Sequence, residues 1–264
     1  MGGLVFDRRY GLIFERRRQA RGAVSFHLSS EAWRDFPQLI RDAILSSPGR
    51  AVCDVGGGAR PALDIEFVKE FALDYTVMDI SADELAKAPE EYHKLQLDIG
   101  SALPTGVEGP FDVVFSKTLA EHVRNAEQFH RNVFRLLAEG GVAIHMFPTL
   151  FAPAFVANRL LPAPVTRWLL NRVQGERRNP EGLEGKFPAY YSWCRGPSAR
   201  QFKRFEKLGY EVAEYRCYFG TPGYYRPLRL GWLDDVVSRW LLRHGVSGLS
   251  SYAVVVLRRR QATT

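Results

Sequence analysis

The segment Arg50-Ala51-Val52-Cys53-Asp54-Val55-Gly56-Gly57-Gly58-Ala59 constrains this chain more than any other stretch. A short apolar run meets an acid, then three consecutive glycines, then Pro61 and a helical pattern. This is the pattern of a buried strand that breaks into a turn where backbone lies against a ligand. A Cβ at those glycines would block either the turn or the ligand. Pro61 suits the first turn of a following helix, where its missing N–H costs nothing. The competing reading is a plain strand-to-helix turn. No Gly-Lys-Ser/Thr follows, so the loop is not a nucleotide phosphate loop. Pro61 also stands where a dinucleotide fingerprint carries its third glycine or alanine. Asp54 repels phosphate but accepts hydrogen bonds from an ammonium group, so the loop suits a zwitterionic or cationic ligand.

The next segments repeat the theme of a strand ending in an acid. Tyr75–Ile80 reads as a second strand with Asp79 at its tip, 21 residues beyond Gly58. A carboxylate at that distance is placed to bind both hydroxyls of a ribose. Lys94–Ile99 reads as a third strand whose end carries Asp98, and Phe111–Ser116 as a fourth. Leu119-Ala120-Glu121-His122-Val123 follows. Leu136–Gly141 ends a helix on glycine and passes into a fifth strand, Val142–Phe147.

On these segments the chain resembles the class I S-adenosylmethionine-dependent methyltransferases. Leu119–Val123 and the Gly140-Gly141 turn are most similar to the type 11 small-molecule group related to quinone-biosynthesis enzymes. The resemblance is close over 50–147 and topological at the ends. It implies an α/β fold: a Rossmann-like seven-stranded sheet of order 3-2-1-4-5-7-6, helices on both faces, and insertions after strands five and six. It implies S-adenosyl-L-methionine as cofactor. Asp54 and the backbone of Gly56, Gly57 and Gly58 would hold its methionine portion, and Asp79 its ribose. Ile80 and Ile99 would flank the adenine, Asp98 would meet the adenine amino group, and Ser116 would lie beneath the methionine. One departure is Arg60, which stands where the family loop often has another glycine. It either narrows the methionine end or reaches the methionine carboxylate.

Charge divides the chain more sharply than its net +7 suggests. Residues 51–147 hold 8 basic and 16 acidic residues, a balance of −8, as suits a cationic sulfonium. Residues 148–264 hold 19 basic and 8 acidic residues, a balance of +11. That half fits an anionic acceptor or surface: nucleic acid, anionic lipid or a phosphate-bearing glycan precursor. It is equally a solvated basic face without a partner. No run of 18 apolar residues suggests a membrane-spanning helix. The arginine-rich start lacks the apolar core of a signal peptide. Three cysteines without metal-like spacing fit a reducing compartment. The expectation is a cytoplasmic protein, with peripheral contact at the inner membrane face as an option.

A single domain over 1–264 is expected: an arm and covering helix at 1–49, a cofactor-binding half at 50–147, and a substrate-side half at 148–264. Residues 29–46 read as an amphipathic helix with Trp33, Phe36, Ile40, Ala43 and Ile44 on one stripe. Phe155–Val173 mixes leucines and Trp168 with arginines, as a lid or a membrane-surface segment would. Tyr190, Tyr191 and Trp193 sit in a dense aromatic run that suits a substrate cleft or a satellite apolar cluster. Ser198–Leu208 reads as a helix, Tyr210–Phe219 as a strand, and Ser250–Leu257 as a last central strand.

Methyl transfer to an alcohol needs a base near the methyl group. His122, after strand four, is the first candidate, against a role in orienting the loop. His145, in strand five, is the second, against a core histidine. Glu121 fits a base, a metal ligand or a helix-end acid; no metal is expected. The reading is a methyltransferase for a small molecule, at oxygen on a sugar or a glycolipid or polysaccharide precursor. A nucleic-acid methyltransferase is disfavoured, because Ser116-Lys117-Thr118-Leu119 stands where base-flipping amino methylators carry Asn/Asp-Pro-Pro-Tyr/Phe. A non-catalytic cofactor-binding assembly partner is the third class.

Overall fold

The computed structural model describes residues 23–104, 109–152, 156, 188–221 and 231–260. The arm at 1–22, most of Phe155–Val173, Lys186, Phe187, Tyr224 and Tyr225 lie outside the described residues. In chain order the elements are β1 (Ala23–Leu28), α1 (Ser29–Ser46), β2 (Ala51–Val55), α2 (Ile65–Glu70), β3 (Asp74–Asp79), α3 (Ala82–Ala86) and β4 (His93–Gln96). Then come β5 (Phe111–Lys117), a 3-10 turn (Ala120–His122), α4 (Ala126–Leu136), β6 (Leu137–Pro148), α5 (Ala199–Lys207), β7 (Tyr210–Phe219), α6 (Gly231–His244) and β8 (Tyr252–Arg259).

The strands form one sheet of order β1-β7-β8-β6-β5-β2-β3-β4. Strands β2 to β8 reproduce the expected 3-2-1-4-5-7-6 order. The sheet has eight strands rather than seven, because β1 adds at the outer edge, parallel to β7 from Ala23↔Glu214 to Leu28↔Phe219. Every β1 residue is half-buried, although Val24, Phe26 and Leu28 alternate with Ser25 and His27 along it. Strand β8 runs antiparallel to both its neighbours. The remaining pairs are parallel, so β1, β2, β3, β4, β5, β6 and β7 end at one edge.

Alternation along the central strands divides the core into two layers. Val113, Phe115, Ile144, Met146 and Val254 face α1 and α2, where Ala32, Phe36, Ile40, Ile44, Phe67 and Val68 are buried. Val114, Ala143, Ala253 and Val255 face α4 and α5, against Phe129, Val133, Leu136, Phe202 and Phe205. Both faces are covered, which is why these strands read as near-continuous apolar runs. Trp33 departs from the expected stripe: it is exposed, and its ring lies 5.1 Å from the Lys117 ammonium at the end of β5.

Three boundaries differ from expectation. Pro61 precedes α2 instead of opening it; the helix starts at Ile65, after Asp64 accepts the Phe67 amide in an N-cap. Helix α4 stops at Leu136, and Gly140-Gly141 belong to the long β6, beside a register shift between Phe111 and Val113. Strand β4 ends at Gln96, so Asp98 lies in the turn beyond it.

Phe36 anchors α1 in the core, with 1% exposure. Phe36→Ala is expected to cost about 3–5 kcal/mol, read as a lower urea midpoint at unchanged slope. A cost below about 1 kcal/mol would mean that α1 is not integral to that layer.

Candidate functional site

The parallel strand ends converge on the glycine turn. Strand β2 ends at Val55, and the Gly56 amide still bonds the Met78 carbonyl of β3 at 2.7 Å. Gly56 and Gly58 then take φ of +80° and +42°, conformations that other residues rarely adopt. A Cβ at Gly57 would sit 2.9 Å from the Asp54 carboxyl and from Val77. A Cβ at Gly58 would sit 3.0 Å from Oδ2 of Asp79. The turn therefore lies flat on the strand tips, bringing bare backbone alongside the second acid.

Asp54 holds that turn from below. It is buried, and its Oδ2 accepts from the Tyr75 hydroxyl and the Ala62 amide, both at 2.8 Å. Burial pushes its carboxyl up to about 6, against those hydrogen bonds and the Lys117 ammonium, which lower it. Asp79 is more open: the Ser81 amide bonds its Oδ1 at 2.9 Å, and Oδ2 faces Gly58. Ile80 beside it is 56% exposed, an apolar wall at the crevice mouth. Asp98 accepts from the Gly100 amide and the Ser101 hydroxyl, at 2.9 and 2.6 Å, and stays exposed to solvent.

Four expected site residues are not in the crevice. Ile99 is buried with Val123 and Phe129, because buried Asn132 bonds the Ile99 and Ser101 carbonyls and draws the turn inward. Ser116 is fully buried and its Oγ lies 2.8 Å from Nδ1 of His145, its register partner on β6. His145 is equally buried; desolvation pushes it down to about 3, so it is a neutral core histidine and no base. Trp193 stacks on His130 at 5.7 Å, under Arg204 and edge-on to Phe205, so it belongs to the core layer rather than a substrate wall.

The turn after β5 gathers what remains. Thr118 takes φ +49°, and its amide bonds the Met146 carbonyl at 2.8 Å, which bends the chain sharply at the ligand edge. The 3-10 turn then presents Glu121 and His122. The Glu121 carbonyl accepts from the amides of Tyr190 and Tyr191, at 2.7 and 3.0 Å. His122 Nδ1 lies 3.2 Å from the Pro188 carbonyl. Residues 188–194 are thus strapped across the sheet edge, with Tyr190 exposed beside Arg124 and Tyr191 partly buried against the core.

Glu121 is the least expected member. It is buried, its Oε2 meets no hydrogen-bond partner, and its Oε1 lies 3.8 Å from Nε2 of His122. Burial pushes its carboxyl up to about 7. Lys117 was missed at sequence level; only the parallel register of β5 against β2 puts its ammonium near Asp54. Elsewhere, ligand atoms of His27, Glu31 and Asp35 come within 4.8 Å of one another. There His27 already bonds the Ser25 hydroxyl and pairs with Glu31.

Comparison with known proteins agrees with this geometry. Residues 53–145 match the family described as methyltransferase domain. Over 111 residues the chain is 32% identical to phosphoethanolamine N-methyltransferase 2 of Caenorhabditis elegans. That match covers 38% of this chain and 24% of the worm protein, so the chain spans about a quarter of that relative. Among solved structures, geranyl diphosphate C-methyltransferase of Streptomyces coelicolor, complexed with Mg2+, geranyl diphosphate and S-adenosyl-L-homocysteine, superposes with a TM-score of 0.53 at 11% identity. It covers 87% of this chain and 80% of its own. Phosphoethanolamine N-methyltransferase 2 of Haemonchus contortus, complexed with S-adenosyl-L-methionine, gives 0.50 at 16% identity, over 87% and 53%. The fold is that of the class I S-adenosylmethionine-dependent methyltransferases; the quinone-related subgroup is not singled out.

The raised Glu121 carboxyl ties stability to pH. Folded, it keeps its proton up to about 7; unfolded, it ionises near 4.5, so the chain loses stability as pH rises between those values. Glu121→Gln removes that loss. The stability of the variant relative to the natural chain is expected to rise by up to about 3 kcal/mol between pH 4.5 and 8, measured by urea denaturation at each pH. A pH-independent difference would mean that Glu121 titrates normally.

Proposed function

We propose that this chain is an S-adenosyl-L-methionine-dependent methyltransferase acting on a small molecule. The acceptor we favour is a hydroxyl of a sugar or of a glycolipid or polysaccharide precursor. One observation carries the cofactor reading: a flat glycine turn lies directly against Asp79, at the shared strand edge of a segment that matches methyltransferase domains. The cradle fits an adenosyl amino acid better than a nucleotide phosphate, because Asp54, Asp79 and Asp98 at or beyond the strand ends outnumber the Lys117 ammonium. Bound there, the cofactor supplies an electrophilic methyl group on sulfur.

The chain's own residues do the rest. Asp79 binds the ribose hydroxyls, and the exposed Asp98 turn meets the adenine amino group. Ile80 covers one ring face. The Gly56–Gly58 backbone receives the amino-acid end, with Lys117 near enough to neutralise its carboxylate. The buried Asp54 acts through the loop that it braces rather than by open contact. The small-molecule acceptors named for the geranyl diphosphate and phosphoethanolamine enzymes are both phosphorylated, and they favour an anionic acceptor here as well. The basic balance of 148–264 favours the same class.

His122 is the proposed base. The Pro188 carbonyl, 3.2 Å from Nδ1, orients the ring on the turn after β5, and the imidazole would take the acceptor hydroxyl proton. Glu121, ionised above about 7, then stabilises the imidazolium from 3.8 Å. Tyr190, exposed on the strap, is placed to contact the acceptor. The chain would work in the cytoplasm, peripherally at the inner membrane face where its acceptor is lipid-linked.

Asp79→Ala is expected to weaken S-adenosyl-L-homocysteine binding about 10–100-fold in calorimetry. Unchanged affinity would remove the ribose assignment. His122→Ala is expected to lower kcat by about 10²–10⁴-fold while sparing cofactor affinity, measured by methyl-donor mass shift on fractionated glycan and lipid acceptors. Full turnover would remove it as the base.

A further inference from the structure

Helix α6 exposes most of its large apolar residues, where α1 buries Phe36, Ile40 and Ile44. Its inward side is small and polar: Ser238 is buried, and Asp234 accepts the Thr221 amide at 2.9 Å, with Leu241 as the main apolar anchor. Its outward side is apolar. Trp232, Val236 and Trp240 repeat every fourth residue at 65%, 58% and 55% exposure. Leu233 and Val237 lie beside them, also exposed. A water-facing helix places its polar residues outward, and five large apolar side chains on consecutive turns form a patch rather than scattered exposures.

We propose that this face of α6 docks on the headgroup region of an anionic lipid bilayer. The residue types select that partner. Tryptophan favours the membrane–water interface, where its ring is apolar and its N–H stays wet. Arg239 and Arg243 are exposed on the same helix, able to lay their stems on acyl chains and their charges at phosphates. The half of the chain that contains α6 carries a balance of +11, against −8 in the cofactor half, so an anionic surface attracts the first segment more than the second. At 14 residues the helix is too short to span a bilayer and suits lying in its plane.

Position gives the docking a purpose. A Cβ at Gly220, just past the end of β7, would meet Ser238 and Asp234 of α6 and Ser29 at the start of α1. The base of α6 thus stands at the ligand edge of the sheet. Docking there holds the acceptor side of the crevice against the lipid surface, which suits a lipid-linked acceptor. That last step rests on the proposed methyl transfer; the docking itself does not.

The test is flotation of the full chain with phosphatidylcholine vesicles containing or lacking 30% phosphatidylglycerol, alongside calorimetry with S-adenosyl-L-homocysteine. The expected result is flotation with anionic vesicles, weakened at high salt. Trp232→Ser/Trp240→Ser should reduce partitioning at least tenfold with an unchanged melting temperature and unchanged cofactor affinity. No flotation, or equal flotation of the variant, would overturn the docking. So would a dimer, seen by light scattering, that the same variant dissolves, since a second copy would then own the face. Flotation without cofactor binding would keep the docking surface and refute the methyltransferase; cofactor binding without flotation would do the reverse.

Discussion

A buried carboxylate with two fixed donors sets the geometry of everything at the ligand edge. Asp54 sits where β2 leaves the sheet, and the Tyr75 hydroxyl and Ala62 amide hold it from two sides. An unpaired buried charge there would be costly, so the loop that supplies the Ala62 amide is bound to fold back over it. That return path lays three glycines across the tips of β2 and β3. Any larger residue would press on Leu119 at the first, Asp54 or Val77 at the second, and Asp79 at the third. One desolvated acid thereby dictates the turn that lies against the next acid, and through it the shape of the cradle.

Much of this was legible from residue order. Acids at the ends of successive apolar runs, and glycines after the first, mark an open parallel sheet and its binding edge. The order of seven strands followed from the same resemblance. What stayed hidden was set by neighbours far away in sequence. Ser116 and His145 lie at the right height on their strands, but they oppose each other in the β5–β6 register and bond one another inside the core through Oγ and Nδ1. Residue order gives height along a strand; only the pairing gives the side. Ile99 follows an acid as an adenine wall would, yet Asn132, 33 residues on, pulls its turn inward. The aromatic run at 190–193 splits likewise: Tyr190 stays outside, and Trp193 meets the buried ring of His130. Strand β1 alternates Val24, Phe26 and Leu28 with Ser25 and His27, but only its pairing with β7 makes that short pattern a strand of this sheet.

The division of charge along the chain has a structural counterpart. The acidic half builds the strand tips that carry Asp54 and Asp79. The basic half supplies the strap, α5 and α6. Between them stands the turn after β5, where Lys117, Glu121 and His122 come from one short segment. Burial raises the Glu121 carboxyl to about 7, and no donor meets its Oε2. A carboxyl held in that state is expensive for folding and useful for proton transfer.

The central claim is a cradle for an adenosyl amino acid between the Gly56–Gly58 turn, Asp79 and the Asp98 turn. A co-crystal structure with S-adenosyl-L-homocysteine tests it most directly. The expected density places both ribose hydroxyls on the Asp79 carboxylate and the amino-acid end over the glycines. Density for the ligand elsewhere, or a crevice still empty at saturating ligand, would contradict it.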